Sequence, residues 1–330
     1  MSARPTPVAS SWRPSITIPL VLQARSGLVV MLISLAIAPV ILSDYELTLF
    51  ATGVSYSVAV LGVALGFSSV GMLTLTQPAM MVIGGFVALQ LIELWHFPFL
   101  LAAVIGTAVG MLSAIPLGWL TCRLDKFSFA VLGFAFTYLV AMLMSSRLLV
   151  DVTGGELGKP FPAATAFGLP LQGVWGYSLI AAVTLVSFAV AAVLFRSTMG
   201  RILLVMNQDD VVARTAGVNT NLHRISLTAI VSGYGALSGA LVGQASGFIA
   251  PPQFDVALSI SLLAMALVGG AGYLLGAFVG TLILQFVPAF LGFEQIDREI
   301  LVGIILLFCL VAAPNGLLAA LRHIPMRRRP

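Results

Sequence analysis

Apolar residues in this chain come in long blocks separated by short polar connections, not in the alternation or narrow stripes of half-buried strands and surface helices. Blocks near the roughly 20 residues needed to cross hydrocarbon fall at about 26–43, 47–66, 70–92, 98–121, 127–146, 174–195, 226–249, 256–271, 273–292 and 300–320. The pattern predicts an all-α, polytopic membrane protein of about ten transmembrane helices, one of them broken or kinked and polar. A single transmembrane domain occupies 26–320, flanked by a basic segment at 1–25 and a basic tail at 321–330. The least regular block is SISLLAMALVGGAGYLLG, which reads either as two short helices or as one bent one.

Composition supports the membrane class. The chain is 59% hydrophobic and 8% charged, with a mean hydropathy of +1.08, whereas soluble domains carry roughly a quarter charged residues. Charge placement then orients the spans. With both termini in the cytoplasm, that side collects Arg4, Arg13, Arg25, Arg123, Lys126, Arg196, Arg201, Arg214, Arg224, Arg322, Arg327, Arg328 and Arg329. Only Arg147, Lys159 and Arg298 remain outside, as the positive-inside bias requires. The basic Pro/Ser-rich start reads as a retained anchor and not a cleaved signal.

No ionisable residue lies near the middle of a span, which argues against a proton relay. Intramembrane polarity is neutral and concentrated in GFSSVGMLTLTQPAMMVIGG, where Ser68, Thr74, Thr76 and Gln77 precede Pro78. A proline removes one helix hydrogen bond, and freed backbone at that depth needs protein or water as partner. A broken helix lining a translocation pathway is therefore expected here, against the simpler reading of a kinked helix whose hydroxyls bond its own carbonyls. In a second run, Gly269, Gly270, Gly272, Gly276 and Gly280 are read as helix packing, with the spacing of four from Gly272 forming a flat strip.

Three other candidate chemistries are set aside. TGGELGKP is one residue short of a phosphate-binding loop and has Pro160 where Ser or Thr should hold magnesium, so it reads as an outer loop bearing Asp151, Gly154, Gly155 and Glu156. Cys122 and Cys309 show no metal or disulfide spacing. His96, His223 and His323 fall at separate ends of the topology, so neither a metal site nor a catalytic triad is expected and the chain reads as no enzyme.

The longest polar connection, 196–224, contains GRILLVMNQDDVVARTAGVN. Ile202, Val205, Met206, Val212 and Ala216 recur at helical intervals, Asp210 and Arg214 form an i, i+4 pair, and Gly217 supplies a stop. A short amphipathic helix over Asn207–Ala216 is expected. Its polar face of Asn207, Gln208, Asp209 and Asp210 is neutral to acidic, unlike the basic faces of helices lying on lipid headgroups, so a protein partner accounts for it better.

This stretch resembles the cytoplasmic coupling loop of permeases of branched-chain amino acid type ABC importers, through Gly200, Arg201, Leu203, Asp210, Ala213, Gly217, Val218 and Asn219. The resemblance continues through LSGALVGQASGFIAPPQF, LVGGAGYLLGAFVG and APNGLL, and earlier through GMLTLTQPAMMVIGGF and TGGELG. The chain departs at Leu204 and Asn207, where the family commonly carries basic residues, and at Leu157 in the outer loop. The resemblance implies a bacterial-type inner-membrane permease subunit with no cofactor of its own, ATP being bound by partner subunits. It implies a second permease subunit, two cytoplasmic ATPases and an external solute-binding protein. Gly200, Arg201, Leu203, Asn207, Asp209, Asp210, Val212, Arg214 and Gly217 would then form the ATPase-coupling loop. The solute would be a branched-chain or other amino acid, urea or a nucleoside. The competing expectation is an ATP-independent secondary transporter or channel.

Overall fold

The computed structural model describes residues 20–286, apart from 167, 168, 171, 172, 209 and 271, together with 288, 303–305 and 307. Helices dominate: α1 (Leu20–Ile41), α2 (Asp44–Val70), α3 (Gln77–Trp95), α4 (Phe99–Ser113), α5 (Ile115–Thr121), α6 (Lys126–Ser145), α7 (Val150–Thr153), α8 (Val174–Arg196), α9 (Thr198–Gln208), α10 (Asp210–Thr215), α11 (Thr220–Ser246), α12 (Val256–Gly269) and α13 (Leu274–Thr281). Among the described residues six helices, counting Phe99–Thr121 as one, are long and apolar enough to cross a membrane. A seventh span results if α12 and the helix from Leu274 to Gln285 count as one element bent by 119°. The expected blocks through 256–271 each hold a helix, and the described residues, which end short of the last expected span, do not decide the count of ten. The block 300–320, Cys309 and the basic tail lie outside the described residues.

Two helices form the axis of the bundle. α2 and α11 are each 27 residues long, about 40 Å at 1.5 Å per residue. They are also the most enclosed spans, with 83% and 72% of their apolar windows buried. The reason lies in their side chains. In hydrocarbon, helices gain little from burying one another's apolar surface, so they associate where small residues let backbones approach. On α11, Gly235 and Gly239 face α3, and a Cβ on Gly239 would overlap the Met81 carbonyl oxygen. Gly84 of α3 packs on the Ala236 backbone in turn, and Gly110 of α4 on the Ala236 side chain. Ser238 Oγ donates to the Ser55 carbonyl at 2.8 Å and ties α11 to α2.

The outer ring presents apolar side chains to the surroundings. Leu100 and Val104 of α4, Val131 and Tyr138 of α6, Val186 and Val190 of α8, and Leu32 and Ile33 of α1 are all exposed. Such faces fit lipid or a partner helix, and together with the long apolar spans they make the chain a multi-pass membrane protein.

The glycine run divides. Gly269, Gly276 and Gly280 are the packing surface between α12 and α13, where a Cβ on Gly269 would overlap the Gly276 carbonyl and one on Gly280 the Met265 carbonyl. Gly270, at φ 99°, makes the reversal between them. Gly272 does not belong to the strip. It sits in the turn with open space around its Cβ position.

Candidate functional site

The break in the third apolar block lies earlier than the proline. α2 ends in Gly71, left-handed at φ 70°, whose N–H bonds the Phe67 carbonyl at 2.9 Å. Residues 71–76 are non-helical, and α3 begins only at Gln77. Pro78 therefore stands in the first turn of α3, where its missing N–H costs nothing and its fixed φ favours the helix. It starts a helix instead of kinking one.

Partners from three other helices hold this extended segment. The Leu75 carbonyl accepts hydrogen bonds from Thr137 Oγ1 of α6 at 2.8 Å and Ser259 Oγ of α12 at 3.0 Å. Gln77 Nε2 donates to the Val231 carbonyl of α11 at 3.1 Å. Val231 lies eleven residues into α11, roughly 16 Å along it, so α3 starts near the middle of the bundle. Thr74, Thr76 and Gln77 are buried, and Ser68 is half-buried in the last turn of α2. Thr74 Oγ1 and Gln77 Oε1 have no hydrogen-bond partner among the described residues. Such groups each cost about 1–3 kcal/mol, so this is where the packing gives up stability.

The polar connection is helical over Thr198–Gln208 (α9) and Asp210–Thr215 (α10). Gly200 is needed at the sharp α8–α9 corner, since a Cβ there would stand 2.6 Å from the Leu194 and Phe195 carbonyl oxygens. Arg201 is exposed, its Nη2 3.3 Å from Thr198 Oγ1. The protein-facing side is Gly200, Leu203, Met206 and Ala213, all buried, so the apolar positions of the sequence pattern divide, with Met206 buried and Val205, Val212 and Ala216 exposed. Asn207 turns inward, and its Nδ2 donates to the Ser68 carbonyl of α2 at 3.2 Å. Asp209 and the side chain of Asp210 lie outside the described residues. Arg214 Nε donates to Thr220 Oγ1 at 3.1 Å.

Gly217, at φ 80°, ends α10 with its N–H on the Arg214 carbonyl, while Val218 N–H reaches back to Ala213. That pair of bonds is a Schellman stop. Asn219 Oδ1 then accepts the Leu222 N–H at 3.2 Å and caps α11. The Gly-Val-Asn close of the motif is thus one helix end followed by one helix start.

At the opposite end, TGGELGKP ties three helices together. Thr153 Oγ1 donates to the Met144 carbonyl at 2.7 Å and accepts the Gly155 N–H at 3.1 Å. Gly154 and Gly155 are both left-handed, at φ 74° and 63°, and a Cβ on Gly154 would overlap the Gly158 carbonyl. Lys159 Nζ reaches Glu93 of α3 at 3.4 Å and the Asp151 carbonyl at 2.7 Å, and the backbone of Lys159 pairs antiparallel with Ile249 beyond α11. Asp151 and Glu156 remain exposed. Thr153→Val should lower stability by about 1–3 kcal/mol, because the Met144 carbonyl and Gly155 N–H lose their buried partner. A drop in the thermal midpoint of the detergent-solubilised protein checks it.

The break at 71–76 and the polar connection between α8 and α11 both lie within a single family match. The family model for the branched-chain amino acid transport system / permease component matches residues 46–313. The chain belongs to this permease family. The permease is 23% identical over 248 residues to the high-affinity branched-chain amino acid transport system permease protein LivM of Salmonella typhimurium, covering 67% of this chain and 57% of that one. It is 25% identical over 234 residues to the probable branched-chain amino acid transport permease protein LivH of Methanocaldococcus jannaschii, covering 67% and 71%. It is also 25% identical over 218 residues to the autoinducer 2 import system permease protein LsrC of Salmonella paratyphi B, covering 63% and 60%. The permease thus spans little more than half the length of its LivM relatives. No solved structure matches it significantly.

Sequence reasoning missed the small-residue face of α11, although Gly235, Gly239 and Gly243 recur every four residues. It also missed Thr137 and Ser259, for which no local signal exists.

Proposed function

We propose that this permease is the transmembrane subunit of an ATP-driven ABC importer for a small polar solute, most simply a branched-chain or related amino acid. It works with a second permease, two cytoplasmic ATPases and an external solute-binding protein, in a bacterial-type inner membrane. The observation that carries the reading is the α9–α10 pair. α9 packs on α2 and α8 with Leu203 and Met206 buried, while Val205 and Val212 are exposed. Apolar side chains on a short exposed helix are what a helix-in-groove contact uses. The α9–α10 end then faces the cytoplasm and the Asp151–Glu156 loop faces the binding protein.

In this scheme closure of the ATPases moves α9 and α10, and through them the ends of α8, α11 and α2. The non-helical segment 71–76 is the deformable part of the pathway. It bears Thr74 and Thr76, and Gln77 at the start of α3 adjoins it. A polar, uncharged path suits a solute whose affinity is set by the binding protein.

The test is reconstitution of the permease in proteoliposomes with the ATPases and binding protein encoded beside it. Uptake of labelled leucine, isoleucine or valine should require both ATP and binding protein. Uptake without ATP overturns the reading in favour of a secondary transporter or channel. The exposed acids yield a further expectation, because loop charges steer encounter more than they stabilise a fold. Neutralising Asp151 and Glu156 together should slow delivery from the binding protein at low ionic strength, and the difference should vanish at high salt.

A further inference from the structure

The bond from Asn207 to Ser68 joins two features that sequence analysis kept apart, the exposed helix pair and the broken span. The Ser68 carbonyl belongs to the last turn of α2, where helix carbonyls lack an intrahelical donor and require one from elsewhere. The donor comes from 139 residues away, as the side-chain amide of Asn207 at 3.2 Å. Three residues later Gly71 turns left-handed and the chain becomes extended. The grip therefore acts at the point where helix gives way to the break.

Both sides of this bond favour transmission. α9 is a firm lever, since Leu203 and Met206 are buried in the core and Ser197 Oγ accepts the Gly200 N–H at its start. The end of α2 also borders a small cleft lined by Leu65, Ser68, Phe195 and Tyr273 between α2, α8 and the α12–α13 turn. The Ser68 carbonyl of that last turn is held by the Asn207 amide, so displacement of α9 bears on it directly.

We propose that Asn207 is a positioning residue that carries displacement of the α9–α10 pair into segment 71–76 through its amide donor. This rests on the reading of α9 and α10 as the element an ATPase moves. The residue acts through Ser68 and touches neither solute nor nucleotide.

The experiment compares the full complex in lipid nanodiscs carrying wild-type Asn207, Asn207→Asp, Asn207→Ala or Asn207→Gln. Asp keeps the shape and removes the donor, whereas Gln keeps the donor on a longer arm. Amide hydrogen exchange of residues 71–76 should rise about fivefold to tenfold in the Asp and Ala variants, as expected for one lost hydrogen bond, with exchange in α11 unchanged. Solute imported per ATP hydrolysed should fall severalfold in the same two variants, and Gln should restore both quantities. Unchanged exchange and unchanged import per ATP in Asn207→Asp overturn the proposal. So does a rise of exchange across α11 as well, which would mark a general packing role. Should wild-type uptake prove independent of ATP, the importer reading falls, while the exchange in 71–76 still decides whether Asn207 holds the break.

Discussion

Gly239→Ala is expected to prevent accumulation of folded permease, although it adds a single methyl group. That methyl would overlap the Met81 carbonyl oxygen, a backbone atom of α3 in the centre of the bundle. Overpacking a core usually costs about 1–3 kcal/mol when side chains move aside. Here a helix must move instead, and α3 is itself wedged against α11 again at Gly84. We expect a loss of about 3 kcal/mol or more. The control is Gly272→Ala, where the Cβ position is open and no effect is expected. The monodisperse fraction recovered in mild detergent after a heat step measures both. Equal recovery of the two variants would show that α3 and α11 do not meet as described.

Val212→Glu is expected to release the ATPases from the membrane. Val212 is 53% exposed on α10, next to buried Ala213, so the substitution leaves the permease core untouched. A glutamate in an apolar groove must be desolvated without a partner, which costs several kcal/mol and exceeds what a small helix contact contributes. ATPase co-purification should therefore be lost while the permease still accumulates. Retention of the ATPases with full stimulation by loaded binding protein would remove α10 from the interface and leave α9–α10 as a lipid-facing element.

Much of the architecture follows from local pattern, and the exceptions share one cause. α2, α6, α8 and α11 fall where the apolar blocks lie, because about 20 apolar residues have few alternatives to a helix in hydrocarbon. The start of α3 was not legible. Pro78 has the same local signature whether it kinks a helix or begins one, and the deciding partners Thr137 and Ser259 lie 62 and 184 residues from Leu75. Which apolar positions of α9 and α10 are buried was not legible for a related reason. In a chain this apolar, Val205 and Leu203 look alike, and only the packing of α2 and α8 decides which is buried. Gly217 was legible as a stop because helix ends are made by neighbours in sequence, whereas Asn219 entered only through the family motif and its capping of α11 was not read. The residues proposed for the pathway gained an unexpected setting, since Thr74 and Gln77 are enclosed by this chain's own helices.

The tie between Ser238 and Ser55 spans 183 residues, and that separation imposes an order on biosynthesis. At roughly 5–20 residues per second, α2 waits about ten to forty seconds in the bilayer before α11 emerges to cover its serines. Its hydroxyls are provided for in the meantime. Ser55 Oγ donates to the Ala51 carbonyl at 2.8 Å and Ser57 Oγ to the Val54 carbonyl at 2.6 Å, both within α2 itself. What α2 offers its late partner is a carbonyl oxygen, already bonded within its own helix and able to accept once more. The helix is thus lipid-compatible as a nascent segment and adhesive only when the matching strip of α11 arrives.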